Sequence, residues 1–422
     1  MATQIIIVDD DPIVGTLTLE LLQEAGYTVV LVQDSLRAQQ VINTERPLLV
    51  VLDILMPGLD GFTLLHRLKT SDATKDIKVI VVSGKSFEAE KRRAAQYGAE
   101  AFIEKPYDVD AFAKKVDDIL NVEGGGVVKT PLPAAVPRPK RAEISATIWG
   151  CRSEGASSAA ADSRYGRRTS CVSVDTGFHL FVFDAGSGIA ALGEKLLDTG
   201  MHKDIWLFLT HFHPDHIEGL ASFPCAREAG FTLHISGASD PDKPLEEVLK
   251  AAFESGPNGG APAAAIDLYE LIEQTYAILP GVRLSAFYAN HPGTTLGFVL
   301  QADERKIVYC PDSELYGDFA TALQDYDEKI SASCRNADVM FHDGRYTPQD
   351  YKEYRNTGHS NFINAVDFAG KNNIKHLILV HQDARYTDEV LDQMGKDAQA
   401  RVAERGYKLK VTIGREGLTV AV

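Results

Sequence analysis

The segment THFHPDHIEGL, residues 210–220, places three histidines and an aspartate within six positions. The chain has only 12 histidines in 422 residues, so such a cluster is rarely a chance event. His211 and His213 are two positions apart, and an extended backbone would direct both side chains to one side. Asp215 and His216 follow where the chain turns into a helix. One metal ion could hardly use all four side chains in good geometry, so the segment predicts two adjacent metals.

Two metals need more ligands, and the sequence offers them at the ends of predicted strands. The segment ANHPGTTLGFVL places His291 in a turn after an apolar run. KIVYCPDSE puts Asp312 just beyond another strand, and HLILVHQD puts His381 directly after a third. Imidazole suits zinc, iron and related ions, and a carboxylate adds charge compensation. These side chains could therefore complete a dinuclear site.

The order of these residues resembles the metallo-β-lactamase superfamily. RYGRRTSCVSV (164–174) and LFVFDAGSGI (180–189) are similar to the opening strands of that fold, with Asp184 in its first motif. The resemblance covers residues 143–422. It implies a four-layer αββα sandwich with the site at one edge of its two sheets.

The same resemblance implies a complete ligand set. One metal would be bound by His211, His213 and His291, the other by Asp215, His216 and His381, with Asp312 as the bridge. The ions would be two divalent transition metals, with zinc preferred and manganese or iron as alternatives. Cys310 is expected to pack in its strand, because the five cysteines form no C-x-x-C pair that would indicate a thiolate site.

Two further motifs concern catalysis. VMFHDGRYT, with His342 and Asp343, and TGHSNF, with His359, resemble the superfamily branch that contains ribonuclease Z and related phosphodiesterases. The resemblance implies that His359 donates a proton at the scissile phosphate and that Asp343 orients it, with Asp215 as a third candidate catalytic residue. The chain departs from ribonuclease Z in carrying Asp instead of Glu at position 343. For His342, a functional and a structural role are left equally open.

The N-terminal region alternates apolar runs with helical patterns, at 5–8, 28–32, 48–52, 78–82 and 101–103. Five apolar strands separated by helices predict a parallel sheet that is covered on both faces. Polar side chains follow the strands at the edge where such sheets bind ligands, namely Asp9, Asp10, Asp53, Ser83 and Lys105. Converging carboxylates repel one another unless a divalent cation lies among them, and oxygen ligands suit Mg²⁺.

The motifs VDDDP, LDILMPGLDGF, VVSG and EKP resemble a response-regulator receiver domain, a doubly wound (βα)5 fold of the flavodoxin type. The resemblance implies that Asp53 accepts phosphate from a sensor histidine kinase or a phosphotransfer protein. It further implies that Asp9 and Asp10 bind Mg²⁺ together with Asp53. The phosphoryl group and the switch would involve Ser83, Lys105 and the aromatic Phe102.

The chain is accordingly predicted to contain a receiver at 1–120, a Gly/Pro-rich linker at 121–142 and a hydrolase at 143–422. The net charge is −16, divided as −6 for residues 1–120 and −10 for the rest. This balance argues against a large nucleic acid or an anionic membrane as the partner. The sequence lacks a run of about 18 apolar residues and a signal-like N-terminus, which predicts a cytoplasmic protein.

The preferred interpretation is a two-component response regulator whose output is a metal-dependent phosphodiesterase for a small substrate, regulated by phosphorylation of Asp53. The H-D and G-H-S motifs favour a phosphodiester over a carbonyl substrate. One alternative is a lactone or thioester hydrolase that uses the same metals. Another, of a different class, is a non-catalytic output module that binds a ligand or forms a homodimer.

Overall fold

The computed structural model describes residues 3–10, 12–54, 56, 59–83, 88–105, 107, 109–121, 144–155, 162–240, 242–255, 259–279, 281–316 and 326–422. The predicted linker, apart from its first residue, lies outside the described residues. The chain divides into two compact units, Met1–Pro139 with Thr275–Arg283 and Lys140–Gln274 with Leu284–Val422. Among the described residues, no helix combines the length and apolar character that crossing a membrane requires.

The N-terminal region alternates strands and helices. In chain order these are β1 (Ile5–Val8), α1 (Pro12–Glu24), β2 (Val29–Val32), α2 (Ser35–Glu45), β3 (Leu49–Asp53), α3 (Gly61–Thr70), β4 (Lys78–Ser83), α4 (Glu88–Gln96), β5 (Ala101–Glu104) and α5 (Val109–Asn121). The sheet order is β2-β1-β3-β4-β5, and every neighbouring pair is parallel. This arrangement confirms the predicted doubly wound (βα)5 fold.

Alternate residues of each central strand pack on opposite faces of this sheet. Ile6 and Val50 belong to one buried apolar cluster, and Ile7 and Val51 belong to the other. Burial on both faces explains why the strands are almost continuously apolar. All five strands run in one direction, so their carboxyl ends meet at one edge.

The C-terminal region has more elements. In chain order they are β6 (Ser145–Gly150), β7 (Cys171–Asp175), β8 (Leu180–Phe183), α6 (Ile189–Thr199), β9 (Asp204–Phe208), α7 (Pro214–Ile217), β10 (Thr232–Ala238), α8 (Leu245–Glu254), β11 (Ala265–Leu271), β12 (Thr275–Leu279), β13 (Val282–Tyr288), β14 (Leu296–Ala302), β15 (Arg305–Cys310), α9 (Tyr326–Cys334), β16 (Val339–Asp343), α10 (Phe362–Lys371), β17 (His376–Val380), α11 (Asp388–Arg405), β18 (Lys410–Ile413) and β19 (Thr419–Ala421). Short 3-10 helices cover Glu218–Ser222, Pro224–Arg227 and Asp350–Lys352.

These strands form two seven-stranded sheets, with the orders β11-β10-β9-β8-β7-β6-β19 and β12-β13-β14-β15-β16-β17-β18. Aromatic rings join the two sheets, since Phe183 lies 6.0 Å from Phe298 and 5.2 Å from Tyr309 between ring centroids. On the outer faces, α6 and α8 cover the first sheet, and α10 and α11 cover the second. The predicted αββα sandwich is confirmed.

The opening of the sandwich differs from the prediction for residues 164–174. The strand there begins only at Cys171, and the first strand is β6, which was not predicted. β6 pairs in antiparallel fashion with β7 and β19. The residues before Cys171 are instead held by polar contacts, such as the ion pair of 2.8 Å between Arg168 and Glu416. β6 pairs with β19, which lies at the far end of the chain. Pairing between segments so distant in sequence cannot be recognised from the residues around β6 alone.

Candidate metal centre

The seven predicted metal ligands come from the ends of five separate elements. His211 and His213 follow β9, Asp215 and His216 lie on α7, His291 follows β13, Asp312 follows β15, and His381 directly follows β17. The structure brings all seven together, in groups whose possible ligand atoms lie within 4.8 Å of one another. The separate elements supply a rigid frame, so the site does not depend on one flexible loop.

The first group contains three imidazoles and Asp312. Nε2 of His211 lies 2.9 Å from Nδ1 of His213, which in turn lies 3.3 Å from Nε2 of His291. Oδ2 of Asp312 is 3.7 Å from Nε2 of both His211 and His291. Three ring nitrogens and one carboxylate oxygen therefore face a common point.

The second group contains Asp215, His216 and His381. Oδ2 of Asp215 lies 3.1 Å from Nε2 of His381 and 3.7 Å from Nε2 of His216. Oδ1 of Asp312 lies 3.4 Å from each of the same two nitrogens. Asp312 thus presents one carboxylate oxygen to each group, which is the arrangement of a bridging ligand.

Hydrogen bonds on the outer side of the rings fix which nitrogen faces the centre. Nδ1 of His291 lies 2.9 Å from the carbonyl oxygen of Gly358. A carbonyl can only accept, so Nδ1 carries the proton and Nε2 presents a lone pair to the centre. Nδ1 of His211 similarly lies 3.0 Å from the hydroxyl of Thr210. Outer partners of this kind orient metal-binding histidines in many proteins.

The donor set fits metal ions better than it fits hydrogen bonding. Nε2 of His216 and Oδ1 of Asp312 are buried and have no hydrogen-bond partner among the described residues. Lone pairs on neighbouring imidazoles repel one another unless a cation lies between them. Two nitrogen ligands of a tetrahedral zinc ion are about 3.4 Å apart, close to the spacings measured here. The residues present are therefore suited to hold divalent ions.

The protonation states of the histidines in the centre also favour metal binding. Burial lowers the pKa of His211, His213 and His291, in the last case to about 4, so these rings are neutral at pH 7. Burial also opposes charge on His216, but the carboxylates around it, first Asp312, outweigh this effect and raise its pKa. Neutral imidazoles keep their lone pairs available, and the negative field at the second group favours a cation.

Asp184, predicted only as part of a motif, has a definite structural role. Its carboxylate is fully buried and accepts hydrogen bonds from the amide and hydroxyl of Thr210 and from the hydroxyl of Tyr309. It also lies 2.7 Å from Nδ1 of His216. This contact turns Nε2 of His216 toward Asp215 and His381, and Asp184 itself is in none of the candidate ligand groups among the described residues.

His359 and Asp343, the predicted proton donor and its partner, form a close pair. Nδ1 of His359 lies 2.8 Å from Oδ2 of Asp343, so the shorter aspartate reaches the ring without difficulty. The His359 ring stacks on His381, with centroids 5.1 Å apart, and meets the edge of His291 at 4.8 Å. Burial lowers the pKa of His359, but the Asp343 carboxylate outweighs it and raises the pKa above its ordinary value.

Glu314 is a residue of the site that sequence reasoning missed. Its buried carboxylate accepts hydrogen bonds from the hydroxyl of Tyr351 at 2.6 Å and from the backbone amides of Asn356 at 2.7 Å and Gly358 at 2.9 Å. Glu314 therefore fixes the turn that precedes His359. No motif identifies it, because its partners, one tyrosine hydroxyl and two backbone amides, lie about 40 residues away in the chain.

The other histidines belong to none of the candidate ligand groups among the described residues. His342 is fully buried, with Nδ1 3.1 Å from the carbonyl oxygen of Asp343 and its ring near Phe368, which favours the structural role. His66 is exposed. The same holds for the remaining four, His179, His202, His234 and His376. Cys310 lies buried within β15, as expected.

The N-terminal region contains a second cluster, in which carboxylate oxygens of Asp9, Asp10 and Asp53 lie within 4.8 Å of one another. Nζ of Lys105 is 2.8 Å from Asp9 and 2.6 Å from Asp53. Burial opposes the charge of Lys105, but these two carboxylates raise its pKa. Gly61 lies so close that a Cβ atom there would be 2.2 Å from the carbonyl oxygen of Asp53.

The two other predicted receiver residues lie on the neighbouring strands. Ser83 is fully buried at the carboxyl end of β4, and Phe102 is partly buried on β5. The register pairs Val81 of β4 with Phe102 of β5. Ser83 therefore lies on the strand next to that of Asp53, and Phe102 lies on the edge strand beyond it.

Residues 5–117 match the family described as response regulator receiver domain. Residues 179–382 match the family described as beta-lactamase superfamily domain. The chain combines these two domains. The superfamily match and the His/Asp groups imply binding of divalent metal and support a hydrolase. The receiver domain implies a phosphodonor, either a histidine kinase or a phosphotransfer protein.

Curated relatives match the N-terminal region. RpaA of Synechocystis sp., a DNA-binding dual master transcriptional regulator, is 32% identical over 117 residues, which are 28% of this chain and 48% of that protein. PhoB of Pseudomonas aeruginosa, a phosphate regulon transcriptional regulatory protein, is 30% identical over 128 residues, 30% of this chain and 56% of that protein. The chain spans about half the length of these relatives.

Solved structures resemble each region separately. The metallo-β-lactamase fold protein YhfI of Bacillus subtilis is 20% identical, with a TM-score of 0.49, and the match covers 66% of this chain and all of that chain. A diphosphatase of the PhnP family is 18% identical, with a TM-score of 0.46, covering 66% and 98%. A receiver domain from Colwellia psychrerythraea is 27% identical, with a TM-score of 0.27, covering 28% and 98%.

Proposed function

We propose that this chain is a two-component response regulator whose output domain is a dinuclear metal-dependent phosphodiesterase. The observation that carries the proposal is the position of Asp312, with one oxygen 3.7 Å from imidazoles of the first group and the other 3.4 Å from those of the second. A lone metal site would not need a carboxylate shared in this way. A dinuclear site suits displacement at an anionic phosphorus, because two cations stabilise both the attacking and the leaving oxygen.

The first ion would be held by His211, His213 and His291, the second by Asp215, His216 and His381, and both by Asp312. Zinc is the preferred ion, because imidazole nitrogens dominate the donor set, with manganese or iron as alternatives. When bound, the pair would supply a nucleophile at neutral pH and neutralise charge at the attacked phosphorus.

Of the chain's own side chains, His359 would donate the proton that the departing oxygen needs. Held by Asp343 and lying against the ligand His291, it is placed to give a proton to the departing oxygen. The carboxylate keeps Nδ1 protonated and leaves Nε2 for proton transfer, a contribution of about 10²–10⁴-fold in rate. Asp215, in the second group, keeps its carboxylate ionised because His216 and His381 oppose the effect of burial and lower its pKa.

The substrate in this proposal is small. The region from residue 121 onward carries a net charge of −10, which disfavours the approach of a long polyanion. The N-terminal cluster would regulate this activity, with Asp53 accepting phosphate and Asp9 and Asp10 binding Mg²⁺. On phosphorylation, Lys105 would exchange its ion pair with the Asp53 carboxylate for one with the phosphoryl group.

The test is a hydrolysis screen of the zinc-loaded full-length protein over cyclic nucleotides, bis(p-nitrophenyl) phosphate, lactones and thioesters. We expect phosphodiester turnover that falls at least about a hundredfold in His213→Ala. Hydrolysis of lactones or thioesters alone would replace the proposal with a carbonyl hydrolase. A metal-loaded protein that hydrolyses none of these compounds would indicate a non-catalytic output module.

Regulation has a separate test. Acetyl phosphate or a cognate kinase should phosphorylate the wild type but not Asp53→Asn, and should change turnover or oligomeric state only in the wild type. Phosphorylation of Asp53 that changes neither quantity would contradict the regulatory part and leave the hydrolase part intact.

A further inference from the structure

Arg345, two residues beyond the predicted catalytic Asp343, has an unusual environment. Its side chain is only 14% exposed, and Nη1 lies 2.9 Å from Nε2 of His359. Its Nε is buried without a hydrogen-bond partner among the described residues. The nearest carboxylates lie beyond hydrogen-bond distance, at 3.7 Å for Glu154 and 3.9 Å for Asp383.

Neither carboxylate requires Arg345 as a partner. Asp383 is already bound in bidentate fashion by Arg385, with distances of 2.8 and 3.0 Å. The side chain of Glu154 is 72% exposed and can be solvated by water. The only close acceptor of the Arg345 guanidinium among the described residues is therefore a ring nitrogen that carries no negative charge.

The ion pairs of Arg345 with Glu154 and Asp383 are long, and its buried Nε–H has no acceptor among the described residues, so part of the hydrogen-bonding capacity of the guanidinium is left unused at a cost in free energy. The planar fork of an arginine matches two oxygens of a phosphate group and binds them in parallel. Arg345 has such donors next to His359, at the edge of the metal centre. An anionic group of the substrate would complete its coordination.

The position of this anion follows from His359. In the structure Nε2 of His359 accepts a hydrogen bond from Nη1 of Arg345 at 2.9 Å; once Nε2 carries the proton for the departing oxygen, it can no longer accept, and Nη1 is left to donate to an anion beside it. The negative charge that Arg345 binds must then lie within a few ångström of the departing oxygen. In a diphosphate, the departing oxygen belongs to a second phosphate, whose other oxygens fall at this distance.

We propose that Arg345 binds the departing phosphate of a diphosphate diester, and that such diesters are the preferred substrates. This inference rests on the proposed function and names its substrate class. Water forms a bond from its oxygen to one phosphorus, the bridging P–O bond breaks, and its electron pair leaves with the second phosphate. His359 gives the departing oxygen a proton and regains one from the attacking water, so two phosphate monoesters result.

The test compares diadenosine diphosphate with bis(p-nitrophenyl) phosphate, whose leaving group carries no phosphate, in the zinc-loaded full-length protein. We expect Arg345→Gln to lower kcat/KM for diadenosine diphosphate by about 10- to 100-fold more than for the other substrate. Arg345→Lys should recover part of the difference, because it keeps the charge but not the fork. The control Arg401→Gln, at an arginine that pairs with Asp367, should leave the ratio of the two kcat/KM values within about twofold.

Equal losses on both substrates would show that Arg345 only positions His359, and would overturn the inference. So would a wild type that hydrolyses bis(p-nitrophenyl) phosphate but not diadenosine diphosphate. Zinc content and melting temperature verify that each variant is folded.

A binding measurement separates this inference from the proposed function. Calorimetric titration with AMP, the product monoester, should show affinity at least about tenfold weaker in Arg345→Gln than in the wild type or Arg401→Gln. If the wild type hydrolyses neither substrate, the phosphodiesterase is rejected, while weaker AMP binding in Arg345→Gln would still support the anion site. Equal AMP affinity in all three proteins would reject the site itself.

Discussion

Carboxylates that converge in a buried cluster repel one another, and the two clusters of this chain differ in the cation that offsets this repulsion. In the N-terminal cluster, Lys105 lies 2.8 Å from Asp9 and 2.6 Å from Asp53, so the chain supplies its own cation. Among the described residues, the ion pairs of Asp312 in the metal centre involve histidines and no lysine or arginine. The first cluster can therefore exist without a bound ion and exchange it easily. The second has its donor atoms turned toward common points, so we expect it to retain its ions.

Removal of the metals should expose this difference most strongly. After exhaustive treatment with a chelator, we expect the melting temperature of the unit containing His211 to fall by roughly 10 °C or more, since ion binding contributes to its folding free energy. The unit containing Asp53 should melt at an unchanged temperature. Differential scanning calorimetry measures both transitions. Equal shifts of the two would contradict the contrast between resident and exchangeable ions.

The bridging carboxylate offers the largest effect from a single substitution. Asp312→Asn should lower zinc content and reduce turnover at least about a thousandfold, because both groups lose a shared negative ligand. Elemental analysis and kinetics test the two effects separately. Asp53→Asn is the matched change in the other cluster and should leave the zinc content unchanged. If Asp312→Asn retains two zinc ions and full turnover, Asp312 does not bridge them.

Substitution of His359, the proposed proton donor, should have a smaller effect that depends on the leaving group. We expect His359→Ala to retain zinc but to lose about 10²–10³-fold of turnover on alkyl phosphodiesters, whose departing oxygen needs a proton. The loss should be smaller on bis(p-nitrophenyl) phosphate, because its phenolate leaves without one. His179→Ala, a histidine outside the centre, is the control. An equal loss on both kinds of diester would argue against proton donation.

The smallest effect is expected from removing the lysine of the N-terminal cluster, which leaves its carboxylates without a lysine or arginine partner, as in the metal centre. Lys105→Met should destabilise the receiver by roughly 1–3 kcal/mol without Mg²⁺, because buried carboxylates lose their cation. Millimolar Mg²⁺ should restore most of this stability and should stabilise the variant more than the wild type. Urea unfolding with and without Mg²⁺ measures both quantities. Insensitivity of the variant to Mg²⁺ would show that these carboxylates do not form an ion site.

The features that could be predicted from the sequence are those that depend on neighbouring residues: the strands, the helices and the polar side chains at strand ends. The alternation of strands and helices predicted both folds, because burial on one or both faces of a sheet leaves a periodic signal. Residues at strand ends, such as His381 and Asp53, were predicted to lie in the clusters in which the structure places them. The strand β6 was missed, since its partners include a strand at the far end of the chain.

The residues that support the site were harder to predict. Glu314 binds backbone amides of a distant turn, and Arg345 contacts His359 across a loop. Nothing in their immediate sequence distinguishes them from ordinary surface charges. Only the three-dimensional structure reveals that both are buried, and burial is what converts a common charged residue into a specific interaction.

The carbonyl oxygen of Gly358 has a wider consequence. It holds the ring of His291, while the next residue in the chain is His359, and a Cβ atom at position 358 would lie 2.7 Å from Nδ1 of His291. In the proposed function, ion retention by His291 and proton donation by His359 would therefore depend on the same turn. A displacement of this short turn would then weaken both together, so in the proposed function one backbone segment would control the whole output.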